Sequence, residues 1–101
     1  MPSVNDSTFK LSRQVIDYIA ALPPDTKKAF NSALTKLRKG GGDTHPLKEE
    51  FAGYHRLRIG SHRVIYMHAS SLVIECVHAG PRKTVYQTFV PPKTAAQDSP
   101  A

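Results

Sequence analysis

GYHRLRIGSHRVIY, residues 53–66, sets two short runs of aliphatic and aromatic residues on either side of Gly60-Ser61. A two-residue loop with glycine at its first central position suits a type II′ turn, so the stretch reads as a β-hairpin. The turn fixes the register: Ile59 pairs with His62, Arg58 with Arg63, Leu57 with Val64, Arg56 with Ile65, and Tyr54 with Met67. Paired residues share a face. Arg56, Arg58 and Arg63 therefore gather on one side, while His55, Leu57, Ile59, Val64 and Tyr66 form the side that packs against helices. Like charges placed directly opposite each other destabilise a strand pair, and a bound polyanion would relieve that repulsion. The competing reading is that the arginines reach into water or pair with Glu49, Glu50 or Glu75.

Composition bounds the anion-binding idea. The chain has 101 residues, enough for one domain with a modest core. Lys plus Arg number 14 against 8 Asp plus Glu, a formal charge of +6. Such a balance favours nucleic acid, ribosomes or an acidic protein as partner, with an anionic membrane surface as a further option in principle. No stretch approaches the roughly 20 apolar residues needed to span a bilayer, and the opening MPSVNDS lacks a positive segment followed by an apolar one. A cytoplasmic protein with no membrane partner is expected. The single Cys76 lies in the apolar run LVIECV, where a buried thiol is the common case.

Upstream of the hairpin, Thr8 to Leu11 alternates and reads as a strand at a sheet edge. Ser12 is a plausible N-cap, and Val15, Ile16, Ile19, Ala20 and Leu22 predict a helix from Arg13 to Leu22. Pro23-Pro24 ends it. A second helix opens at Asp25 or the proline before it, with Ala29, Phe30, Ala33, Leu34 and Leu37 as its apolar stripe and Lys36, Arg38 and Lys39 near the negative end of its dipole. The helical pair can cover one side of a sheet. Lys27, Lys28, Lys36, Arg38 and Lys39 form its polar side, either a solvated face or an auxiliary phosphate contact. Gly40-Gly41-Gly42 closes a helix and runs into Asp43-Thr44-His45-Pro46, which suits a flexible linker and not a phosphate loop.

Downstream, Ser70-Ser71 marks a second reversal and Leu72 to His78 a third strand of the sheet. A two-residue turn there would pair Met67 with Ile74 and Arg63 with His78. Gly80-Pro81 then bends the chain, aiming Arg82 and Lys83 back over the sheet, and Thr84 to Val90 reads as a short strand containing Tyr86 and Phe89. The closing PPKTAAQDSPA has no apolar period and predicts a disordered tail at 91–101, leaving 1–90 as one domain.

The order of elements, and above all PLKEEFAGYHRLRIGSHRVIY followed by HAGPRKTVY, resembles the RelE/ParE superfamily of bacterial toxin–antitoxin toxins over roughly Phe9 to Phe89. The specific parts are Pro46-Leu47-Lys48, the run Tyr54 to Arg58, Arg63-Val64-Ile65-Tyr66, and Arg82 with Tyr86. The resemblance implies an α+β domain: two N-terminal helices packed on a mostly antiparallel β-sheet, with functional side chains on the opposite, concave face. In RelE-type nucleases it implies that Arg56 and Arg63 hold the scissile phosphate, Arg82 serves the leaving oxygen, and Tyr86 stacks on or orients a base, with Tyr54, Arg58, Lys48 and Lys83 as further RNA contacts. Tyr54 stands where the best-known members place a basic residue. The implied partners are a cognate protein antitoxin, mRNA and the ribosome. ParE-like relatives inhibit DNA gyrase without cleaving anything, and an inactive member is the third reading.

The chemistry suits the residues. Phosphoryl transfer without a metal needs fixed positive charge, which planar guanidinium groups supply in bidentate form. His78, placed opposite Arg63, is the candidate general base, because nearby positive charge favours neutral imidazole. His55 and His62 fall on the helix-facing side, His45 in a loop and His68 near a turn, so no metal constellation and no cofactor are expected. Glu75 alternates away from the arginines. Attack by the RNA's own 2′-hydroxyl, leaving a 2′,3′-cyclic or 3′-phosphate end, is the expected route.

Overall fold

Strands β3 (His55–Ile59) and β4 (His62–Ser70) form the hairpin in the predicted register, with Arg58 opposite Arg63 and Leu57 opposite Val64. Gly60 sits at φ 60° and Ser61 does not share that sign, which is the II′ pattern. The computed structural model describes residues 8–90. The expected tail at 91–101 and the opening seven residues lie outside the described residues.

The hairpin is the middle of a five-stranded mixed sheet in the order β1-β5-β4-β3-β2. Strand β1 (Thr8–Leu11) runs parallel to β5 (Val73–Pro81) at one edge, as the alternation of its residues suggested. Helix α1 (Arg13–Ala20) starts where Ser12 takes the Val15 N–H on its hydroxyl. The Ser12 hydroxyl also donates to Val77 O, and the Gln14 side-chain amide bonds both the N–H and the carbonyl of Ala79. This continues the edge of β5 beyond the end of β1, so no further strand is needed there. Helix α1 ends two residues before Leu22, and Ile16 is 48% exposed, so it lies off the apolar face. Helix α2 (Pro24–Arg38) has proline in its first turn, where the missing N–H costs nothing.

Both helices pack on one face of the sheet. Val15, Phe30, Leu34 and Leu37 meet Leu57, Ile59, Val64, Tyr66, Ile74, Cys76 and Ala79 there. Cys76 is buried and burial pushes its thiol up to about 12, an inert core residue as expected. His62 packs edge-on to Phe30 and bonds the Tyr18 hydroxyl at 2.7 Å, and His55 stacks on Tyr66.

Five further expectations are corrected. The segment after the triple glycine is not simply a linker: β2 (Thr44–Pro46) adds an antiparallel strand, with His45 opposite Arg56. The second hairpin turns at Ser71-Leu72, because Ser70 pairs with Val73 and its hydroxyl accepts the Leu72 N–H. The shifted turn places Ile65, not Arg63, opposite His78 and Arg63 opposite Gly80, while Ala69 and Val77 are extra residues, one on each strand, that offset the register only between them. The extra Val77 also reverses the parity of the early part of β5, bringing Glu75 opposite Met67 and onto the arginine face. Finally, Thr84 to Val90 does not extend as a strand. It contains the single-turn helix α3 (Val85–Thr88), which buries Val85 and Phe89 with Ile65 in a second small core on the arginine face.

Candidate functional site

The face opposite α1 and α2 is laid out in rows by the register. Nearest the hairpin turn, Arg58 and Arg63 stand side by side, with Gly80 next to Arg63. The next row runs His45, Arg56, Ile65, His78 across four strands. Farther from the turn, Met67 and Glu75 pair, with Lys10 beside Glu75 on β1. One strand pair thus fixes the charged end of the surface, and its neighbours extend it.

Arg63 is the centre of the charged end. Its Nη1 donates to the carbonyls of Gly60 and His62, both at 2.9 Å, which holds the guanidinium against the turn. Burial lowers its pKa, and the positive groups of Arg56, Arg58 and Arg82 lower it further while Tyr86 opposes them. Those five side chains therefore share one electrostatic neighbourhood. Arg56 contributes the sharpest anomaly: its Nη1 is buried and has no hydrogen-bond partner among the described residues. A buried donor left unpaired is expensive, and a charged one more so. Arg58 approaches Asp43 at 3.8 Å, with both side chains more than half exposed, so this pair neutralises little. The carboxylate is Asp43 and not Glu49, Glu50 or Glu75.

Arg82 is exposed on the loop after β5, and its backbone N–H donates to Ser61 O, which ties that loop to the hairpin turn. Lys48 and Lys83 are exposed at the ends of neighbouring segments, Lys48 just before the 3-10 turn Glu49–Phe51. Tyr86 is half-buried, its ring 6.1 Å from Phe51. Tyr54 is also half-buried and meets Phe89 edge-on at 5.2 Å. Burial, then the charge of Glu75, raises the Tyr54 phenol above its ordinary value, so it stays protonated at neutral pH. Tyr54 thus belongs to the aromatic packing of the second core.

His78 lies on this face, as expected, but in a different setting. Its Nε2 is 2.8 Å from the Thr88 hydroxyl and its ring lies against Phe89. Its pKa is lowered by burial, so the neutral form is favoured by desolvation and not by an arginine opposite. Sequence reading missed His45, Glu75, Phe51, Phe89 and Thr88 on this face. The aromatic pair was within reach, since Phe51 and Phe89 are large apolar residues with no place on the helix-facing side; the bulge that turns Glu75 had no signal. Among the described residues, no three His, Cys, Asp or Glu side chains converge as a metal-ligand set. No helix among them is long and apolar enough to cross a membrane.

Two helices on one face of a five-stranded mixed sheet is the fold that the chain shares with solved structures of RelE-like toxins. The chain is similar in structure to the toxin–antitoxin complex RelBE2 from Mycobacterium tuberculosis, at TM-score 0.65 and 21% identity over 76% of this chain and 99% of that one. It is similar likewise to the archaeal RelE–RelB complex from Pyrococcus horikoshii OT3, at TM-score 0.62 and 24% identity over 76% and 96% of the two chains. The YoeB/ParE toxin from Agrobacterium tumefaciens matches at TM-score 0.63 and 20% identity, over 73% and 96%. No protein-family model and no curated protein matches the sequence. At these identities the shared property is the fold.

Proposed function

We propose that this protein is the toxin of a bacterial type II toxin–antitoxin pair, with residues 1–90 as its toxin domain, and that it cleaves mRNA on the ribosome in the cytoplasm without a metal or other cofactor. The observation that carries the reading is Arg56, whose buried Nη1 is unpaired among the described residues, amid Arg58, Arg63 and Arg82, a concentration of charge for which the described residues supply only the exposed Asp43. A phosphate would supply it. Arg56 and Arg63 clamp the scissile phosphate, Arg82 stabilises charge on the departing 5′-oxygen, and Tyr86 stacks a base, with Arg58, Lys48 and Lys83 along the backbone path. The 2′-oxygen attacks phosphorus, the bond to the 5′-oxygen breaks, and a 2′,3′-cyclic phosphate remains. His45, opposite Arg56 and without a side-chain hydrogen bond among the described residues, takes the 2′-hydroxyl proton, and solvent returns one to the 5′-oxygen.

The same uncompensated charge suits a resting partner. An antitoxin segment bearing carboxylates covers the arginines, and its association slows as salt rises. Isolation of the toxin alone from its native operon, or association insensitive to salt, refutes this partner.

The reading is tested in a purified translation system with reporter mRNA, alongside a gyrase supercoiling assay. Cleavage of ribosome-bound mRNA with cyclic or 3′-phosphate ends supports it; intact mRNA with blocked supercoiling assigns the protein to gyrase inhibition instead. The metal claim is tested with short model RNA at high protein concentration in chelator. Fragments with 5′-phosphate and 3′-hydroxyl ends, or cutting of the all-deoxy analogue, overturn the mechanism.

A further inference from the structure

Helix α3 has four residues, far fewer than the roughly 12–15 at which an isolated helix begins to hold itself together. Its order comes from what it touches. Val85 and Phe89 bury against Ile65, and Phe89 lies near Phe51, Tyr54 and His78. The loop leading into it is tied to the hairpin turn by the Arg82 N–H on Ser61 O. At its other end, the bond between His78 Nε2 and Thr88 Oγ1 is the only side-chain hydrogen bond joining α3 to the sheet among the described residues. Arg82 and Tyr86 hang between these two anchors.

We infer that His78 is a positioning residue that acts through Thr88, latching α3 so that Tyr86 and Arg82 stand beside Arg63. The inference rests on the nuclease reading for its kinetic consequence and replaces the assignment of His78 as general base. The hydroxyl of Thr88 lies 3.3 Å from the carbonyls of Thr84 and Val85, so it can donate to either while accepting from His78, or donate to His78 itself. Both neutral tautomers of the imidazole keep the latch closed. A base whose Nε2 is committed to a threonine on a packed helix is poorly placed to receive a substrate proton at that atom, whereas the same bond is what a tether requires.

Thr88 makes the two roles separable, because it can be changed without touching the imidazole. On ribosome-bound mRNA, His78→Ala and Thr88→Val should each slow cleavage roughly three- to tenfold, the range spanned by one net hydrogen bond. The double variant should be no slower than either single one. His78→Gln, which can present an amide near the former Nε2, should recover most of what alanine loses, and the pH–rate profile should keep its shape. Loss of a general base would instead cost a hundredfold or more in both His78 variants, remove a limb of the profile, and leave Thr88→Val active; that pattern overturns the inference.

A readout independent of activity is amide exchange in α3. Gln87, Thr88 and Phe89 donate to Thr84 O, Thr84 O and Val85 O. Their exchange should quicken in His78→Ala and Thr88→Val alike, with that of the central strands unchanged. Unaltered exchange in both variants refutes the latch. If the unmodified protein cuts no RNA, the nuclease reading falls and the exchange measurement alone decides whether the latch exists.

Discussion

Replacing Arg56 by methionine should make the protein more stable and less able to bind anions. The residue stands opposite Ile65, half-buried, with one guanidinium nitrogen buried and without an acceptor among the described residues. Relief of a buried unpaired donor is worth about 1–3 kcal/mol, and easing the repulsion from Arg63, which is diagonal and not opposite to Arg56, adds little to it. Arg56 is only half-buried, so the lower end applies, and methionine keeps an unbranched stem in its place. A net gain of about 1–2 kcal/mol corresponds to a rise of roughly 5–10 °C in Tm for a domain of this size. The assay is thermal unfolding of both proteins in low-salt buffer, with and without a short 2′-O-methyl RNA that cannot be cleaved. The unmodified protein should be stabilised by the RNA, by about 2.7 kcal/mol at a hundred times Kd, and Arg56→Met should show little of this shift. A lower Tm for Arg56→Met without ligand, or an equal RNA-induced shift in the two proteins, would refute the idea that Arg56 is held in an unfavourable place for an anion.

Three other changes have definite expected outcomes. Arg63→Ala should lower mRNA cleavage by roughly a hundredfold if the guanidinium meets charge that develops in the transition state, and a loss confined to KM would show uniform binding instead. Gln14→Ala removes both bonds to the backbone of Ala79 and should lower the urea midpoint by the equivalent of about 1–2 kcal/mol, while an unchanged midpoint would mean that water replaces the amide without loss. His55 and His78 both sit below the ordinary imidazole value, His55 through burial and then the neighbouring His68, His78 through burial. The folded chain therefore binds fewer protons than the unfolded one, so stability is intact above about pH 6.5 and falls as pH drops through that value toward the folded pKa values. Denaturation midpoints measured from pH 7.5 to 5 should decline, less steeply in His55→Gln, and a rising midpoint would contradict the sign.

The first hairpin was legible residue by residue because Gly60-Ser61 dictates one turn, and one turn dictates one register. The helices were legible from Ser12, the two prolines and a clean apolar stripe. The second hairpin was not, for a local reason: the Ser70 hydroxyl accepts the Leu72 N–H and moves the turn by one residue, and two compensating extra residues then decide which side chains face the arginines. Period-two reasoning fails beyond a bulge. The segment 84–90 misled because Val85, Tyr86 and Phe89 have high strand propensity, yet β5 is flanked by β4 and by β1 with the Ser12 and Gln14 side chains. The short helix instead buries Val85 and Phe89 on Ile65.

That second core also gives the surface a direction. The arginines lie at the end near the Gly60 turn, while Ile65, Phe51, Tyr54, Phe89 and Tyr86 make an aromatic and aliphatic floor leading away from it. A backbone phosphate is recognised by charge and a base by a flat apolar ring, so these two halves suit the two halves of one nucleotide. Tyr86 joins them, since it packs on Phe51 and at the same time enters the electrostatic surroundings of Arg63. In the proposed mode of binding the phosphate seats at the turn end and its base lies toward Tyr86. The placement of Tyr86 depends on a helix too short to stand unaided, which makes packing at Phe89 and the His78–Thr88 bond part of the same functional arrangement as the arginines.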